Sequence, residues 1–140
     1  MMNQARTLLG FDFGMKNIGV AVGQELTRTA SPLAALKARD GIPDWVILDQ
    51  LVQQWQPQLL VVGLPLNMDG SEQAMTAAAR KFGRRMQERF KIAVDWQDER
   101  LTTFEALEQM GIRDKMASKQ RSDVDRLSAQ IILQSWLDRQ

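Results

Sequence analysis

The chain contains no cysteine and no histidine in its 140 residues. Lack of cysteine excludes disulfides, thiolate zinc sites and cysteine nucleophiles. Lack of histidine removes the usual general base and the commonest metal ligand. Any catalysis must rest on carboxylates, lysine, arginine, hydroxyl groups or a metal held by oxygen. A hard cation such as Mg²⁺ suits that inventory best. No apolar run approaches the length of a membrane span, and the N-terminus lacks a signal-peptide core. A soluble, cytoplasmic protein is therefore expected. Internal repeats, low-complexity tracts and linkers are absent too, and the length suffices for an unstapled core. One domain over residues 1–140 is the expectation.

An excess of charge is also missing, since the net formal charge is +1. The distribution is nevertheless uneven. Residues 80–91 hold six bases and one acid, and residues 113–121 hold four bases and one acid. Basic patches in a near-neutral chain point to nucleic acid or another polyanion. The plainer alternative is a solvated helix face and a polar loop.

What is present is most telling between Leu8 and Gly23. Two short apolar runs flank a Gly14-Met15-Lys16-Asn17 turn, the pattern of a β-hairpin. Alternation puts Leu9, Phe11 and Phe13 on one face of the first strand, with Leu8, Gly10 and Asp12 on the other. A carboxylate in such a strand is costly to desolvate unless hydrogen bonds or a cation compensate it. Asp12 is thus a functional candidate, with a strand-end acid reaching solvent as the plain alternative.

Further along, residues 27–36 read as a third strand, and Pro32 suggests an edge or irregular position. Residues 40–43 read as a loop and helix start. Trp45, Leu48, Val52 and Trp55 then recur at helical spacing and stop before Pro57. Residues 59–64 are apolar on both faces, as in a buried parallel strand. Met75, Ala78, Ala79, Phe82, Met86 and Phe90 form the apolar stripe of a second helix. A strand over 92–97, a short helix from Thr102 or Thr103 to Met110, and a basic loop over 111–122 follow. Ser122 or Asp123 is expected to cap a last helix reaching about residue 138. This order predicts an α/β protein with a mixed sheet and helices on its faces. Trp45, Trp55, Trp96 and Trp136 are assigned to the core.

Sites in open α/β sheets collect near the carboxyl ends of strands. Glu99 lies just beyond such an end. Asp125 lies in the first turn of the last helix, where the helix dipole favours a negative side chain. Ser128 and Ala129 share its face, and their small size would let the helix approach the sheet and bring Asp125 towards Asp12. Taken singly, Asp125 reads as a first-turn acid and Glu99 as a salt-bridge partner of Arg100.

The sequence from Phe11 to Ala21 resembles the opening signature of the YqgF/RuvX family. Three further stretches resemble its later blocks: Val62 to Gly70, Asp98-Glu99-Arg100-Leu101-Thr102-Thr103, and Val124-Asp125 with Ser128-Ala129. They occur in family order and span nearly the whole chain. The resemblance implies a ribonuclease H-like fold of the resolvase type and a metal-dependent nuclease acting on structured nucleic acid. Members are described as Holliday-junction resolvases and as nucleases maturing the 5′ end of pre-16S ribosomal RNA. It further implies Asp12, Glu99 and Asp125 as catalytic acids and ligands of Mg²⁺ or Mn²⁺, with Asp98 the nearest competitor to Glu99. Asn17 departs from the family, which often has arginine there, and this weakens a phosphate contact at that position.

On this reading Lys16 and Arg100, each close in sequence to a proposed ligand, neutralise phosphate charge. Lys81, Arg85 and Arg89 at i, i+4, i+8, with Arg80 and Arg84 beside them, form a ridge suited to a phosphate backbone. Ribosomal precursor particles and structured RNA are the favoured partners, with branched DNA the alternative. Two other classes stay open: a nucleotide-binding phosphotransferase of the actin-like superfamily, which normally needs two such domains, and a non-catalytic RNA- or ribosome-binding module.

Overall fold

The computed structural model describes residues 5–101 and 121–140. Six strands form one sheet: β1 (Thr7–Asp12), β2 (Asn17–Gln24), β3 (Thr29–Arg39), β4 (Ile42–Pro43), β5 (Leu59–Leu64) and β6 (Val94–Asp98). Their order is β4-β3-β2-β1-β5-β6. β1 is the pivot, since it pairs antiparallel with β2 and parallel with β5, which in turn pairs parallel with β6. The expected mixed sheet is therefore observed.

The alternation in β1 assigns the two cores. Leu9, Phe11 and Phe13 pack with α1 (Trp45–Trp55) and α2 (Ala74–Phe90) through Leu48, Phe82 and Met86. Phe11 meets Phe82 edge-on at a centroid distance of 5.6 Å, a favoured aromatic geometry. Leu8 faces the other way, joining Val61, Ala129, Leu133 and Trp136 under α3 (Arg121–Asp138). Helices thus cover both faces, and β5 is buried along its whole length because it lies between them.

Local chemistry sets the helix ends. Asp44 caps α1 by accepting a hydrogen bond from Val46 N at 3.1 Å. Gln56 closes it in the left-handed region, φ 48°, directly before Pro57. At the start of α2 the Thr76 hydroxyl accepts from Gln73 N at 3.1 Å and donates to the Pro65 carbonyl, which ties the helix to the end of β5.

Three expectations need adjusting. The third strand runs from Thr29 to Arg39 and is interior, with β4 beyond it, because residues 40–43 turn back as a hairpin. Pro32 is accommodated where the register shifts between Val20 and Ala21, so its missing N–H falls at a bulge. The strand read over 92–97 is Val94–Asp98. The helix expected before Met110 and most of the loop expected over 111–122 lie outside the described residues. Among the described residues no helix is long and apolar enough to cross a membrane.

Candidate active site

Asp12 is the last residue of β1 and lies on the α3 face of the sheet, opposite Gly19 of β2. Across β5, the register that pairs Phe11 with Val62 brings Gly63 next to it. Asp12 is therefore flanked on both sides by residues without side chains, which opens room above a central strand for other acids.

The two glycines receive those acids. A Cβ on Gly19 would overlap the Asp125 carbonyl, so the first turns of α3 rest directly on β2. Asp125 is only 5% exposed there. A Cβ on Gly63 would stand 3.1 and 3.2 Å from Glu99 Cγ and Cδ, so the Glu99 side chain lies across β5 towards Asp12. Sequence reasoning found the small residues of α3 but missed Gly19 and Gly63. The available signal was their place on the same strand face as Asp12.

The Glu99 carboxyl meets Asp12 in a hydrogen bond. Its pKa is pushed up to about 7, first by burial, then by the charge of Asp12, by that hydrogen bond, and by the charge of Asp98. Burial beside a second carboxyl thus favours the protonated form of Glu99. Asp98 behaves differently: its oxygens receive the Arg100 guanidinium at 2.6 and 3.1 Å and the Arg100 N–H at 2.9 Å. Arg100 holds its carboxyl below the usual range. The adjacent acids thus point to different partners, and Arg100 pairs with Asp98 and not with Glu99.

Among the described residues no three acids are gathered into a ready-made metal cage. Asp12 and Glu99 touch, and Asp125 is seated beside them through Gly19. The donor set is entirely oxygen, and the charge of Asp12 that raises the Glu99 pKa is one that a divalent cation would offset. The residues present therefore fit a hard cation.

The proposed phosphate-binding cations are spread more widely. Lys16 is exposed in the turn after β1, where its carbonyl accepts from Ala38 N at 2.8 Å. Arg100 also donates to the Met68 carbonyl at 3.1 Å, anchoring the loop after β5. The five cations of α2 lie on the sheet face opposite α3. Arg80 pairs with Glu72 at 3.1 Å and covers the Trp96 ring at 5.5 Å. Arg89 pairs with Asp49 at 2.7 Å and covers Trp45 at 5.1 Å. Lys81, Arg84 and Arg85 are exposed, and the structure does not bring any of the five to the acids.

A pivot strand ending in an acid, crossed by a C-terminal helix that carries another, defines the resolvase type of ribonuclease H-like fold. Thermus thermophilus RuvC, solved in complex with a Holliday junction substrate, superposes with a TM-score of 0.62 at 13% identity over 96% of both chains. The yeast mitochondrial Holliday junction resolvase Ydc2 gives 0.54 at 8% identity over 93% of this chain and 77% of that one. Residues 6–139 match the family described as RuvX: Holliday junction resolvase, and the chain belongs to that family. A relative from Nitrosococcus oceani is 55% identical over 138 residues, 99% of this chain and 90% of that one. One from Aeromonas hydrophila is 54% identical over 136 residues, 97% of each. Both carry the name "Putative pre-16S rRNA nuclease".

Proposed function

We propose that this chain is a cytoplasmic, divalent-cation-dependent endonuclease that hydrolyses phosphodiesters in structured nucleic acid, with the 5′ end of pre-16S ribosomal RNA as its substrate. The single observation that carries the reading is the Asp12–Glu99 carboxyl pair on the pivot strand, with Asp125 seated beside it. The names borne by relatives identical over more than half of their aligned residues supply the substrate.

Asp12, Glu99 and Asp125 would hold the cation. When bound, Mg²⁺ or Mn²⁺ supplies a more acidic water and stabilises charge on the leaving oxygen. Glu99 would hold the cation in its carboxylate form, which the cation's charge favours. Gly19 and Gly63 leave the room in which the start of α3 and the Glu99 side chain approach Asp12. Lys16, exposed in the turn that follows β1, draws a phosphate towards that end of the strand. Arg100 fixes the loop bearing Met68 and adds positive charge just past the end of β6. Lys81, Arg84 and Arg85, with Arg80 and Arg89, take phosphates of a strand passing the other face, further from the scissile bond.

The family description favours one second reading, cleavage of a DNA four-way junction. Wild type and Asp12→Asn, incubated with Mg²⁺ or Mn²⁺, a pre-16S 5′ leader and a synthetic junction, separate the two. Cleavage of the RNA alone, lost in the variant, is the expected result. Symmetric junction cutting would replace the RNA reading with the resolvase one. Binding without any cation-dependent cleavage would leave a nucleic-acid-binding module and overturn the enzymatic reading.

A further inference from the structure

Gln97 of β6 is 3% exposed, and its Nε2 has no hydrogen-bond partner among the described residues. Withdrawing an amide donor from water without an acceptor is unfavourable. Such a group in a folded protein calls for a physical reason, a functional one included.

Its surroundings narrow the choice. The parallel register sets Gln97 beside Gly63, the same glycine over which Glu99 Cγ and Cδ lie at 3.1 and 3.2 Å from the Cβ position. Asp95 is its neighbour on the same strand face, but Asp95 already accepts from Trp136 Nε1 at 2.8 Å and Trp96 N at 2.9 Å. Ile132, whose Cδ1 also crowds Gly63, offers no acceptor. The Glu99 carboxyl lies over that same glycine, two residues further along the strand face from Gln97, and in this structure it is engaged with Asp12.

We propose that Gln97 is a positioning residue of the cation site, its Nε2–H donating to the Glu99 carboxylate when that group ligates a divalent ion. The inference rests on the cation-dependent reading above. Gln97 does not touch substrate. It fixes the angle at which Glu99 presents its oxygen, and it exchanges an orphaned donor for a charge-assisted hydrogen bond. Partners of this kind behind metal ligands typically contribute about 10–100-fold to metal affinity.

The test is Mn²⁺ binding to the full chain, followed by calorimetry and by water-proton relaxation, in wild type and Gln97→Met. The substitution keeps the volume and removes the orphaned donor, so the cation-free protein should melt no lower than wild type. Mn²⁺ affinity should fall about 10–100-fold, KM for nucleic acid should be unchanged, and excess Mn²⁺ should restore kcat. Unchanged Mn²⁺ affinity in a folded variant overturns the inference. A wild-type measurement guards against a variant that fails to fold. The Gln97 side-chain amide resonances, assigned by ¹⁵N labelling, should move on addition of Mg²⁺, and amide signals that stay fixed while Mg²⁺ binds overturn it equally. Absence of Mn²⁺ binding in wild type itself would instead bring down the cation-dependent reading on which the proposal stands.

Discussion

Asp98 and Glu99 are adjacent acids with different surroundings. Asp98 is satisfied at the surface by Arg100, while Glu99 turns inward across Gly63 to Asp12. Glu99→Gln should therefore reduce cleavage to background. Asp98→Asn, which removes a partly exposed ion pair, should keep activity within about threefold, since such pairs contribute about 0–1 kcal/mol. Equal losses in both variants, measured on the same substrate, would show that the site uses Asp98 as well. Glu99 also gives a pH signature to the cation-free protein. Its pKa lies near 7 in the fold against 4.5 when unperturbed, so between these values the folded state binds more protons than the unfolded one. Stability from this group is full below pH 4.5 and is lost as pH rises through 7. The carboxyls of Glu25, Asp49, Asp69 and Asp98 are shifted downward and titrate below this window. In chelator, wild type should melt at lower temperature at pH 8 than at pH 5.5, and Glu99→Gln should flatten that slope. A wild-type slope that survives in the variant would remove Glu99 as its source.

Asp12 was legible in the sequence because an acid stands out in an apolar alternation, and Glu99 because it follows a strand end. The choice between Glu99 and Asp98 was not settled by the residues alone, since it depends on which way the chain turns after β6. The sequence could place Gly19 on the Asp12 face but not show what rests on it, because that is Asp125, more than a hundred positions away.

At the scale of elements, the seat of α3 decides the site. Its first turns rest on Gly19, and its apolar side buries Leu133 completely against the sheet. Gly19→Ala places a methyl group into the Asp125 carbonyl, and backbone cannot swing aside as a side chain can. The variant should melt lower and lose cleavage together, as read by thermal unfolding and the cleavage assay. Leu133→Ala leaves a cavity and should cost about 2–5 kcal/mol in urea unfolding. The helices themselves were readable: α1 and α2 follow their apolar spacing closely, and α3 ends at Asp138 as expected but starts at Arg121, so Ser122 and Asp123 lie inside it and not at its cap. β4 was not, because a two-residue strand has no periodicity to detect. For β3, Pro32 allowed either an edge or an irregular position, and the structure takes the second: an interior strand with a bulge.

For the whole molecule, the two faces of the sheet divide the charge. Acids gather on the α3 side of the pivot strand, and the basic ridge of α2 lies on the other. Periodicity shows that α2 has an apolar stripe, but it does not say which face of the sheet receives it. If the exposed cations meet phosphates, the triple variant Lys81→Ala/Arg84→Ala/Arg85→Ala should weaken binding without altering the cleavage site. The slope of log affinity against log salt should fall by about 2–3, one phosphate contact per charge. An unchanged slope would leave α2 as a solvated face.

The pivot role of β1 has a consequence for biosynthesis. Its antiparallel partner is made within a dozen residues of it, its parallel partner some fifty later, and the helix that covers its second face only at the end of the chain. A nascent chain that has reached residue 100 already carries Asp12 and Glu99, yet Leu8, Ala21 and Val61 still lack their cover and Asp125 does not exist. Contacts of such long sequence separation form late, because the closing of the loop precedes their reward. The fold thus orders events in time: closure of the core beneath α3 and the arrival of Asp125 above β2 are a single step.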